Sequence, residues 1–109
     1  MSADPRIDLI RRLTAVTTDQ VVAARKLDTV ELDRLNAIHA DLVFRLEVAF
    51  QDPVPADGAL RAELKATAHE LVQARERLRW VTGTVVQVLD RVLPTRPPPV
   101  YGKRGRLTG

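Results

Sequence analysis

The side chains able to do chemistry are few, and their spacing is poor for it. Ser2 is the only serine, His39 and His69 are the only histidines, and there is no cysteine, so thiolate chemistry, disulfides and cysteine-based metal sites are excluded. His69-Glu70 opens like a zincin motif, but Gln73 stands where the second histidine would have to lie one helical turn on. Gly102 and Gly105 sit in a proline-flanked segment with no strand before them and no helix after them, so they form no phosphate loop. Arg75, Arg77 and Arg79 alternate with Glu76 ahead of Trp80, the pattern of a solvated helix face, and without aromatic interleaving or a strongly basic body it argues against nucleic-acid recognition. The residues therefore predict no enzyme, no cofactor and no metal. A histidine on an apolar face is expected to be a seam-edge residue, which assigns His39 to packing and leaves His69, beside Ala68, facing solvent.

The composition points to helices. The chain has 109 residues with 45% apolar side chains, but only one Trp, one Tyr and two Phe. That is one domain's worth of sequence, with a core of Leu, Val, Ile and Ala that suits helix seams. The opening MSADPRIDLIRRL lacks a continuous apolar run, and no stretch approaches a membrane span; the expectation is a soluble, unprocessed protein with no membrane insertion. Net charge is +3. Arg96, Lys103, Arg104 and Arg106 lie in residues 94–109, which hold no acid, and without them 13 basic residues face 14 acidic ones. The basic character belongs to a tail.

Asp4-Pro5 is a helix opening, because Asp accepts a backbone N–H while Pro at the first helical position lacks one that would go unpaired. Leu9, Leu13, Val16, Gln20, Ala23 and Leu27 then follow four-three spacing, predicting a first helix over about 5–27. Asp28 with Glu31 forms a variant capping box, and Leu27 with Leu32 stands where a hydrophobic staple belongs. The second helix, about 29–50, carries Leu32, Leu35, His39, Leu42, Leu46 and Ala49 on one face. QDPVPADG is a turn. The third helix, about 59–93, holds Leu60, Leu64, Thr67, Leu71, Ala74, Leu78, Val81, Val85, Val88 and Val92 in strict four-three register, and ends before Pro94. Gly83 among β-branched neighbours predicts a locally soft stretch within it. Residues 94–109, with three consecutive prolines, form an extended tail that is flexible when free. The fold class is all-α: a three-helix antiparallel, coiled-coil-like bundle in residues 1–93, with a long C-terminal helix and an extended basic tail.

If the second and third helices form an antiparallel hairpin, the former lies opposite about residues 59–80 and the last thirteen residues of the latter overhang by roughly 20 Å. Val81, Val85, Val88 and Val92 lie on that overhang's seam, with Val86, Leu89 and Leu93 beside it. So much contiguous apolar surface has to be covered. Either a partner's amphipathic helix lies along it, or the first helix reaches past the junction, or the chain self-associates.

The junction KLD-TVEL, the long helix LRAELKATAHELVQARERLRWVTGTVVQVLDRVL and the closing VYGKRGRL together resemble the FlgN-like flagellar export chaperones. The resemblance spans most of the chain, although the link between the second and third helices is compressed. It implies a cytoplasmic type III export chaperone that binds the C-terminal helices of hook-associated (hook-filament junction) proteins, keeps them unassembled and delivers them to the export gate. Val85, Val88, Leu89 and Val92 would then hold the substrate helix, and the tail residues Tyr101, Gly102, Arg104 and Gly105 would dock on the gate component. No small-molecule substrate is implied. The competing expectation is a self-associating coiled-coil adaptor whose tail binds nucleic acid or an anionic surface.

Overall fold

The computed structural model describes residues 4–92, and among them there are three helices and no strand: α1 (Pro5–Arg25), α2 (Thr29–Ala49) and α3 (Gly58–Val92). The chain is an all-α bundle. The tail and its sequence-assigned residues Leu93, Tyr101, Gly102, Arg104 and Gly105 lie outside the described residues, as do the side chains of Leu89 and Val92.

Each helix starts on an aspartate. Asp4 accepts from the Arg6 amide at 2.9 Å ahead of Pro5. Asp28 accepts from the Glu31 amide at 3.1 Å, and Asp57 accepts from the Ala59 amide at 2.9 Å. Each side-chain oxygen satisfies an amide that the helix itself leaves unpaired. Glu31 does not complete the capping box; instead Arg34 donates to it at 2.8 and 2.6 Å, and these hydrogen bonds hold the Glu31 carboxyl below the usual range.

The helices are arranged differently from the predicted α2–α3 hairpin. The central element is α1, which packs on both others, while no Cα of α2 comes within 8 Å of one of α3 among the described residues. Ile7 and Ile10 meet Leu64 near the start of α3, and Val21 and Ala24 meet Val81 further along it. Thus α3 runs parallel to α1, and α2 runs antiparallel to it. The reason is a second seam on α1. Alongside the predicted Leu13, Gln20 and Ala23, the residues Ile7, Ile10, Thr17, Val21 and Ala24 are also buried, and a helix apolar on two stripes must sit between two neighbours.

This arrangement shortens the overhang. Along α3 the predicted seam is buried at Leu64, Thr67, Ala74 and Val81, half-buried at Val85 and exposed at Val88. Val81 is 5% exposed and packed against α1, so it belongs to the core and not to a partner surface. The projecting part of α3 begins near Val86 and is about 10 Å long, half the expected length, because α1 lies alongside residues that the hairpin would have left bare.

At the loop end, Arg6 fastens the bundle. Its guanidinium donates to the carbonyls of Ala49 (3.2 Å), Asp52 (2.7 Å) and Pro53 (3.3 Å) and to the Asp4 carboxylate (3.0 Å). It also lies 5.2 Å from the Phe50 ring centroid, close enough for a cation–π contact. A buried guanidinium is tolerable only when its donors are filled this fully.

A candidate helix-binding groove

At the opposite end α2 and α3 diverge over α1 and leave a groove of about 400 Å³. Its floor comes from Gln20 and Ala24 of α1. One wall is Thr29, Leu32 and Asn36 of α2, and the other is Leu78, Thr82, Val85 and Val86 of α3, with Leu27 at the α1–α2 turn. From Leu78 to Val86 the wall covers about 12 Å, or roughly two helical turns. Apart from the Gln20 and Asn36 amides and two threonines, the lining is aliphatic.

Leu27 is held there by backbone geometry. The Leu27 amide bonds the Ala24 carbonyl at 3.1 Å and the Asp28 amide bonds the Ala23 carbonyl at 2.9 Å, the two bonds of a Schellman motif. This closes α1 at Arg25, two residues before the sequence expectation, and puts Leu27 at φ 57°. A left-handed residue at this cap is usually glycine, because a Cβ there costs roughly 1–2 kcal/mol. The chain places a leucine there, 53% exposed, so its isobutyl group contributes more to the groove than to the core.

The predicted site residues divide. Val85 and Val86 line the groove, Val88 stands beyond it at 47% exposure, and Val81 is core. Sequence reasoning missed Gln20, Leu27, Leu32 and Leu78 as lining, since it assigned them to helix seams, and it gave Ala24 no role. The Leu27/Leu32 staple was the available signal, because both of its members face the gap between α2 and α3.

Polar groups near the site are sparse. The Gln20 amide donates to Asn36 Oδ1 at 2.8 Å. On α2, burial and the nearby Arg75 guanidinium lower the His39 pKa, burial being the larger effect, which agrees with a seam-edge histidine. Arg75, Arg77 and Arg79 are exposed on α3, and Trp80 is 72% exposed. Among the described residues, no group of three or more His, Cys, Asp or Glu could hold a metal, and no helix is long and apolar enough to cross a membrane. Comparison with protein-family profiles, with curated proteins and with solved structures finds no match.

Proposed function

We propose that this protein is a non-enzymatic, cytoplasmic chaperone that shelters an amphipathic helix of a partner in the groove between α2 and α3. In keeping with the FlgN-like resemblance, the partner is the C-terminal helix of a flagellar hook-associated protein on its way to the type III export gate. The observation that carries the reading is Leu27. A strained backbone is retained where the surrounding structure over-determines it and the strain serves a purpose, and here the strained residue extends an apolar groove two helical turns long. Val86 and Val88, about half exposed, continue that surface onto the projecting end of α3.

The mechanism requires no covalent step. An aggregation-prone helix exchanges water for Leu and Val side chains, at about 25 cal/mol per Å² of apolar area, and leaves when a competing surface takes it. Tyr101, Gly102, Arg104 and Gly105 serve delivery in this reading, so truncation after Leu93 should retain substrate binding and lose export.

Co-expression with the hook-associated proteins of the same genome, followed by size-exclusion light scattering, tests the proposal. A one-to-one complex that disappears when the substrate's C-terminal helix is deleted supports it. Absence of any complex, together with a stable homo-oligomer, would replace it with the self-associating adaptor.

A further inference from the structure

The groove floor carries a polar group that the fold does not satisfy. Gln20 is 4% exposed. Its amide nitrogen donates to Asn36 Oδ1, but its Oε1 is buried without a hydrogen-bond partner. Turning both amides over would exchange which Gln20 atom is orphaned without removing the orphan. Such an atom costs free energy comparable to a lost hydrogen bond; Ala24, Leu32, Leu78 and Val85, in the same lining, have no side-chain donor, and neither Thr29 nor Thr82 bonds to it. Asn36 is exposed on the groove wall, and among the described residues no acceptor takes its amide N–H. One unfilled acceptor, itself covered, and one exposed donor therefore belong to hydrogen-bonded neighbours in the groove lining.

We propose that the Gln20–Asn36 pair selects a partner helix whose apolar face is interrupted by a side-chain carboxamide, Asn or Gln. A carboxamide presents a donor and an acceptor in one plane, so it can give an N–H to Gln20 Oε1 while accepting from Asn36 Nδ2. Oε1 is covered in the free protein, and because the last torsion of glutamine is broad the inference requires the Gln20 amide to turn toward the groove, with Asn36 following, when a carboxamide arrives. Buried amide pairs fix register in coiled coils, at a cost in stability; here the pair fixes the register of the incoming helix and discriminates against uniformly apolar ones. This inference rests on the groove holding a helix, as proposed above.

The test uses two dye-labelled synthetic peptides with the same Leu/Val amphipathic face, one with Asn and one with Leu at the central seam position, titrated with the full chain. The expected result is about fivefold tighter binding of the Asn peptide, against the order that hydrophobicity alone would give. Gln20→Met should abolish this preference, and Asn36→Leu should do the same at a temperature where circular dichroism reports full helicity, since that variant also takes the acceptor from the buried Gln20 amide nitrogen. Equal or tighter binding of the Leu peptide overturns the carboxamide inference alone, as does a preference unchanged in both variants. Failure of both peptides to bind overturns the groove reading along with it.

Discussion

The two ends of the bundle handle polar and strained groups in opposite ways. At the loop end a buried cation has its donors filled by three carbonyls and a carboxylate, with an aromatic ring alongside. At the turn end a buried amide oxygen is unfilled and a leucine occupies a left-handed conformation. Both ends draw on all three helices, since Leu46 and Leu60 pack on the Ile7 cluster and Leu32 and Leu78 on the Val21 cluster. The difference lies in what the polar and strained groups do: one end is built to stay closed, and the other keeps unsatisfied capacity beside an apolar groove. Stability and binding should therefore separate along the long axis.

The largest effect is expected at the closed end. Arg6→Met removes the donor from the Ala49, Asp52 and Pro53 carbonyls and the guanidinium that donates to the Asp4 carboxylate at 3.0 Å. Breaking a buried pair from one side costs about 3–5 kcal/mol. The melting temperature should fall by more than about 10 °C, while any molecules still folded bind partner helices with unchanged affinity. A loss of affinity at a temperature where circular dichroism reports full helicity would erase the distinction between the ends.

Leu27→Gly should act in the reverse sense. It relieves the left-handed strain, worth roughly 1 kcal/mol, and deletes a half-exposed side chain from the groove. Thermal unfolding should shift upward by a few degrees while partner affinity drops. A variant that is both less stable and fully competent to bind would show that Leu27 serves the core.

The unequal legibility of the two ends has a physical cause. The α3 seam from Leu60 to Val85 was readable because one helix packed on one neighbour repeats its apolar positions every 3.5 residues. The helix starts were readable because Asp4 and Asp28 cap through local chemistry. The position of α1 was not, since its second stripe, Ile7, Ile10, Val21 and Ala24, blends with the first into general apolarity, and a single-stripe reading pairs α2 with α3 instead. The Arg6 contacts span more than forty residues of sequence, and nothing in a local pattern marks an arginine at the second helical position as buried. The groove escaped for the same reason as α1: it exists only because α2 and α3 lean on a shared helix and not on each other.

Gly83 offers a smaller test of where softness matters. A Cβ at this position would meet nothing within 4 Å, and no left-handed backbone requires glycine there. Gly83→Ala should therefore stabilise α3 by about 1 kcal/mol, seen as a modest rise in melting temperature and slower amide exchange around Thr82 and Thr84. Unchanged partner affinity would confine binding to the groove side of α3, whereas weaker binding would mean that bending at Gly83, beside Val85 and Val86, is part of accommodation.

The smallest effect belongs to His39, midway between the ends. Burial and the Arg75 guanidinium both disfavour its protonated form, so its folded pKa lies below the unfolded value of about 6.5. The unfolded chain then binds the proton more readily, and the stability His39 contributes is complete above the unfolded pKa and declines as pH falls from there toward the folded one. Between pH 7.5 and 5.5 the melting temperature should fall slightly, and His39→Gln should flatten that slope without moving the pH 7.5 value much. Because His39 lies outside the groove, helix binding measured over the same interval should keep its affinity. A pH-dependent affinity that His39→Gln removes would couple the middle of the bundle to its open end, and the two regions would no longer be independent.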